Sequence, residues 1–208
     1  AIVAAAADED AAVRNAARRV LATLPKSLIT AEAIHTIARG AASVEELAGG
    51  LADVGGPAAW ARLAEMAGGA DGPAGIAAIA GLERLAAPTP DSLGRLVVLY
   101  AQAGDPARRD EIGRVIARVV KRGAGGGSDA AGFVLEALDE SKLDARSALP
   151  LVGRLGGAEP LARIDAAMQS GDPAIREAAI EGLCNWPTAD VADRLRAIRS
   201  EEHTSELQ

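Results

Sequence analysis

Apolar residues recur at helical spacing along almost the whole chain, and Gly, Pro or a capping Asp, Ser or Thr interrupts them at short intervals. That rhythm is the strongest constraint on the fold. It leaves no segment with the alternating pattern of a strand, and it breaks every helix before it grows long. Val13, Ala17, Val20, Leu21 and Leu24 form a first stripe that ends at Pro25. Ile34 and Ile37 form a second, stopped at Gly40. "SVEE", Ser43 to Glu46, reads as a capping box in which the Ser43 hydroxyl accepts from the Glu46 amide and the Glu46 side chain reaches back. Leu47, Leu51 and Val54 follow, up to Gly55-Gly56.

Pro57, Pro73, Pro90, Pro106 and Pro173 each suit a first helical turn, where the missing N–H would have no partner anyway. The helices they open carry Trp60 and Leu63; Ile76, Ile79 and Leu82; Leu93, Leu96, Val97 and Tyr100; and Ile112 to Val120. "RGAGGGSD" over 122–129 is the most flexible break. Beyond it come Phe133, Val134 and Leu138, then a helix over 143–155 kinked at Pro150, then Leu161, Ile164 and Met168. Thr188 is expected to cap the last helix. The sum is about twelve short helices joined by tight turns, the pattern of repeated helical hairpins.

Composition sets how such helices must pack. The apolar share is 49%, but aromatics are 2%, so small side chains carry much of the core. Burying an Ala contributes far less than the roughly 1.5–3 kcal/mol of a Leu or Ile. Many close helix contacts must replace a few large anchors. The net charge of −7 disfavours a nucleic-acid partner, since phosphate binding draws on clustered cations. No apolar run reaches the roughly 18 residues of a membrane span. One cysteine cannot form an internal disulfide. The chain begins at Ala1 without Met, which fits a processed chain or a fragment of a longer reading frame.

Internal repeats reinforce the reading. "VGGPAAWARLAEMA" from Val54 matches "LGGAEPLARIDAAM" from Leu155. "DPAIREAA" from Asp172 matches "DAAVRNAA" from Asp10, with "DPARR" from Asp105 a looser copy. In each, the Asp can cap a helix and favour its positive end. Ile175 and Val13 are then expected to point inward, with Arg176 and Arg14 on the flank. "GDPAIREAAIEGLCNWPTADVADRLRAI", Gly171 to Ile198, resembles a HEAT repeat of the short bacterial kind. The features that match are the capping Asp, the Pro after it, the apolar-Arg pair, the Ala pair and the Leu before the turn. The resemblance runs over 143–198 and, less closely, 10–25 and 54–67. It implies an all-α fold, an α-solenoid of about six stacked hairpins over 1–198, used as an interaction scaffold.

No coherent catalytic set emerges. Cys184 in "LCNW" has no base at hand and is expected to be a small buried or half-buried residue. His35 has no second ligand at metal spacing and is expected to face solvent or to cap a helix. "GAGGGS" follows a helix and lacks the Lys of a phosphate loop. Asp8, Glu9 and Asp10, like Glu45 and Glu46, read as helix N-terminal charge. Trp60 and Trp186 are expected mostly in the core rather than as exposed anchors. Arg14, Arg109 and Arg176 could line a ridge that meets an acidic partner; hydrogen bonding between repeats, or a solvated flank, is the favoured role.

The expected function is a non-catalytic scaffold that binds another protein or a neighbouring domain, without cofactor, metal, nucleic acid or membrane. Two other readings stand beside it. HEAT-like enzymes include bilin lyases and glycosylases acting on alkylated DNA bases, which would call for pigment-lining aromatics or a basic groove. A structural spacer between domains is the third. The ending "RSEEHTSELQ", 199–208, resembles residue for residue the translation of a common sequencing adapter. On that reading His203 carries no functional information, and the repeat array stops at a cut edge that favours self-association. Deleting 200–208 is expected to leave the thermal unfolding midpoint nearly unchanged. A drop of several degrees in a circular dichroism melt would show that the segment packs.

Overall fold

The computed structural model describes residues 1–69, 72–196 and 198. Among them there is no strand. The helices are α1 (Ile2–Ala5), α2 (Ala11–Thr23), α3 (Ala31–Gly40), α4 (Val44–Val54), α5 (Gly56–Gly69), α6 (Pro73–Leu85), α7 (Pro90–Gln102), α8 (Pro106–Ala124), α9 (Ala130–Ser141), α10 (Ala145–Leu155), α11 (Ala158–Met168) and α12 (Pro173–Cys184). Short 3-10 turns stand at Lys26–Leu28 and Ala189–Val191, and helical residues follow at 192–196. No described helix is long and apolar enough to cross a membrane. The tail 199–208, including His203, lies outside the described residues.

Of the expected caps, Asp10, Ser43 and Asp172 accept from a backbone amide in the first turn of their helices. Thr30, Asp129 and Asp144, which the sequence reading did not single out, do the same. Thr188 does not cap; its hydroxyl donates to the Asp190 carboxylate instead. The glycine-rich break is shorter than 122–128, because α8 continues to Ala124 and the Ser128 hydroxyl ties the turn to the Pro88 carbonyl at 3.1 Å. Pro150 is accommodated inside α10.

The chain packs as two compact units. The first comprises Ala1–Ala87 and Gln102–Glu111. Within it α2, α4 and α6 pack in succession, α3 and α5 pack against α4 and against each other, and α5 also packs on α6. Leu21, Ile37, Leu51, Leu63 and Leu82 are fully buried there. The second unit comprises Pro88–Ala101 and the chain from Ile112. There α10 packs on α12, and α11 closes against both. Leu135, Leu151, Ile164 and Leu183 are part of its core. Helix α8 begins in the first unit and ends in the second.

Three helices recur as a block. Helix α4 starts at Val44 and α10 at Ala145, a shift of 145 − 44 = 101 residues. The same shift carries Gly55-Gly56 onto Gly156-Gly157, and "AAIAGL" at 77–82 onto "AAIEGL" at 178–183. Both glycine pairs hold positive φ: 70° and 88° in the first, 67° and 93° in the second. Those left-handed angles turn the chain out of one helix directly into the next, and side chains resist them. So α4–α5–α6 and α10–α11–α12 share their corner, their order and their pairwise packing.

Three expected core positions are exposed. Val13 and Val20 of α2 are 38% and 47% exposed, and Ile76 of α6 is 64% exposed. In α2 the inward face is Arg14, Ala17, Arg18 and Leu21. The inward face keeps Ala17 and Leu21 of the apolar stripe but shifts to its flank, where Glu46 of α4 bonds both arginines. Ile175 of α12 is half-buried, while Ala178, Ala179, Gly182 and Leu183 face inward.

Close approach of α10 to α12 depends on glycine. A Cβ on Gly153 would stand 1.9 Å from the Gly182 carbonyl oxygen, and the obstacle is backbone. A Cβ on Gly81 would instead meet the Leu63 methyl at 2.9 Å, the far end of a flexible side chain. G153A is expected to destabilise by about 3 kcal/mol, near the upper end of overpacking costs, and G81A by about 1. Urea unfolding followed by circular dichroism checks this, and equal midpoints for the two variants would contradict it.

Candidate functional site

The three ridge arginines share a geometry that sequence alone does not give. Each stands four residues after the Asp that caps its helix. Asp10, Asp105 and Asp172 accept from the amides of Ala12, Arg108 and Ala174 at 2.7, 2.8 and 2.9 Å. Each arginine then folds back over that cap and donates to the carbonyl six residues before it. Arg14 Nη1 reaches Asp8 O at 3.0 Å, Arg109 Nη2 reaches Ala103 O at 2.6 Å, and Arg176 Nη1 reaches Ser170 O at 2.7 Å. A carbonyl turned away from water needs a donor, and a charged donor makes the stronger bond. The shared role is a clasp that pins the incoming loop to the start of its helix.

Arg14 does more than this. It is 8% exposed, and its guanidinium also meets Glu9 O at 2.9 Å and Glu46 Oε1 at 3.1 Å. One turn on, Arg18 is 3% exposed and donates through Nη1 to the same Glu46 Oε1 at 2.8 Å. Gly50, one turn beyond Glu46 on α4, leaves room for the Arg18 side chain; a Cβ there would lie 3.2 Å from its Cδ and Nε. Nε and Nη2 of Arg18 are buried without a hydrogen-bond partner among the described residues.

Glu46 therefore answers two buried cations. Its second oxygen accepts from the Ala42 amide at 2.7 Å, while its own amide donates to Ser43 Oγ at 3.1 Å. The capping box is real, but the returning carboxylate bonds the residue before the cap rather than the cap itself. The Ala42 amide, then Arg14 and Arg18, hold the Glu46 carboxyl down from 4.5 to about 2. The sequence pointed to Arg14 and to the cap, and it missed that Glu46 and Arg18 complete one cluster. The spacing of Arg14 and Arg18, one helical turn apart beside Ala17 and Leu21, was the available signal.

The remaining candidates stand apart from this cluster. His35 is exposed on α3, as expected for a solvent-facing histidine. Cys184 is exposed rather than buried, since it follows the inward Leu183 at the end of α12. Trp60 and Trp186 are half-buried rather than core residues, and the Trp186 ring N–H donates to Asp190 Oδ1 at 3.1 Å. Lys26 is also structural: its ammonium joins the carbonyls of Ala22 and Val54 at 2.8 and 2.7 Å, near the ends of α2 and α4. Among the described residues no three His, Cys, Asp or Glu side chains gather as a metal site would require.

A cavity of about 630 Å³ lies in the first unit, where α6 and α8 begin. Ile76 and Ile79 form its apolar wall, and Asp105, Arg108 and Glu111 its polar edge. Two of those polar groups already serve the fold: Asp105 caps α8, and Arg108 Nη1 bonds the Gly68 carbonyl at 3.0 Å. Comparison with protein-family models, characterised proteins and solved structures finds no match for this chain.

Because Glu46 is the one carboxylate among the described residues that pairs with Arg14 and Arg18, E46A is expected to cost about 3 kcal/mol in urea unfolding at neutral pH. The carboxyl titrates lower in the folded state than its ordinary 4.5. The stability it supplies is thus complete above that value and is lost as pH falls from 4.5 through about 2. Acid titration of stability should show that loss in the native chain and a flatter profile in E46A. Equal stability of the two chains at neutral pH would contradict the role given to Glu46.

Proposed function

We propose that the chain is a HEAT-like α-solenoid with no catalytic site of its own, serving as a scaffold for another protein or a neighbouring domain. The observation that carries this reading is the recurrence of α4–α5–α6 as α10–α11–α12, with the same left-handed glycine corner and the same packing order. A repeated block presents equivalent surface positions in each copy, which suits recognition of a partner that meets both. The charged residues with the most elaborate partners support it too. Arg14, Arg18, Arg109, Arg176 and Glu46 bind their own chain, as a structural element requires.

Ala61 and Ala162 are exposed and equivalent in the two blocks, which makes them suitable positions for a photo-crosslinking benzoyl-phenylalanine. The scaffold reading expects the same protein, or the same neighbouring domain, to be captured at both, and not at exposed Arg39 of α3. Release of an alkylated base from methylated duplex DNA, or covalent transfer of a bilin, would replace it with an enzyme. Absence of capture at both positions would favour a spacer.

A further inference from the structure

We propose that the cavity where α6 and α8 begin receives a lysine or arginine side chain of a partner protein, its aliphatic stem against Ile76 and Ile79 and its charged head toward Asp105 and Glu111. The inference deepens the scaffold reading and rests on it for the existence of a partner. The cavity, about 630 Å³, lies wholly within the first unit and has the size of a small-ligand site. Its apolar wall is open to water. Ile76 is 64% exposed, the highest value of any large hydrophobic among the described residues, while Ile79 is buried. The inward face of α6 runs through Gly75, Ala78, Ile79 and Leu82, so Ile76 adds little to the core. An aliphatic chain laid on it covers apolar surface that the fold leaves wet.

The rim decides which chain enters. Asp105, Glu111 and Arg108 line it, two carboxylates against one guanidinium. Arg108 is turned to the end of α5, where its Nη1 donates to the Gly68 carbonyl at 3.0 Å. Asp105 gives one oxygen, Oδ2, to the Arg108 amide at 2.8 Å, and its Oδ1 accepts no hydrogen bond among the described residues. The surroundings carry the same sign. The first unit holds thirteen Asp and Glu against nine Lys and Arg, a net of 9 − 13 = −4. Two of those nine, Arg14 and Arg18, are buried at Glu46. A cation is therefore drawn to the cavity and an anion repelled. Lysine and arginine join that charge to a flexible stem, which lies along apolar surface while the head stays polar. Exposed ion pairs are weak, so recognition needs stem and head together. One feature works the other way: α6 begins without a side-chain cap, and the positive end of a helix favours an anion. A carboxylate probe measures which sign wins.

Three six-carbon probes that differ only in the head test this: hexylammonium, hexan-1-ol and hexanoate. Binding to the full chain is read from the Ile76 and Ile79 methyl resonances, assigned with I76V and I79V. Hexylammonium should shift both, with a dissociation constant on the order of 10 mM, as so small a ligand allows. Hexanoate should bind at least about fivefold more weakly, with hexan-1-ol between them. Nα-acetyl-lysine methylamide should compete with hexylammonium, and its glutamate analogue should not. D105N/E111Q removes both carboxylates while Asn keeps the cap of α8, and it should weaken hexylammonium at least about threefold with hexan-1-ol unchanged. I76A, at an exposed position, should weaken all three probes and leave the circular dichroism spectrum as it is. Capture at Ala61 and Ala162 is independent of these results, since neither lines the cavity. Hexanoate binding as tightly as hexylammonium would overturn the proposal. So would the absence of any methyl shift at about 50 mM hexylammonium, or hexylammonium binding that D105N/E111Q leaves untouched.

Discussion

The distance between helix backbones sets the rest of this structure. With aromatics at 2% and much of the core made of Ala and Gly, each contact buries little surface. Cohesion has to come from bringing backbones together. Gly153 against Gly182 shows the limit, where even one methyl group would collide with a carbonyl. Close packing of this kind fixes register sharply, because dispersion falls off steeply with separation and small residues leave no flexible ends to adjust. The same constraint explains the paired left-handed glycines. A connection of one or two residues can lay successive helices together only if the backbone turns at once, and Gly55-Gly56 and Gly156-Gly157 do so.

Helices held by small side chains leave their ends and loops in need of other fastenings, and here the charged residues supply them. Capping Asp residues satisfy amides, and Arg14, Arg109 and Arg176 satisfy the carbonyls just upstream. Lys26 bridges two helix ends. At Glu46 this use of charge goes furthest, with two guanidinium groups on one oxygen and a buried edge of Arg18 left unpaired. Removing the carboxylate would strand both cations in a low-dielectric setting. Such a cluster specifies the rotation of α2 against α4 more strictly than apolar contact alone could.

The helices and their starts were legible because they depend on neighbours in sequence. Asp10, Ser43, Asp105 and Asp172 act within three residues, and their caps fall where the pattern puts them. The rotation of α2 was not legible. Counting apolar positions turns Val13 and Val20 inward, and nothing local shows that Glu46, 28 residues beyond Arg18, outweighs them. The exposure of Cys184 and Ile76 follows from the same cause, since periodicity gives a face but not which flank of it is covered. The 101-residue repeat was only partly read. The glycine corner was found, while "AAIAGL" and "AAIEGL" were available as its continuation and went unpaired. The recurring Asp-to-Arg spacing marked the three clasp arginines, but not that each bonds the carbonyl six residues upstream, because an acceptor carbonyl leaves no trace in residue type.

The rotation of α2 also bears on what its outer surface can do. Were Val13 and Val20 turned inward, Arg14 and Arg18 would reach solvent and the helix would look like any other surface helix. Because Glu46 holds both arginines inside, the valines are forced out, and their exposure is the counterpart of the buried cluster. The interior ion cluster and the apolar outer stripe are therefore one feature with two sides.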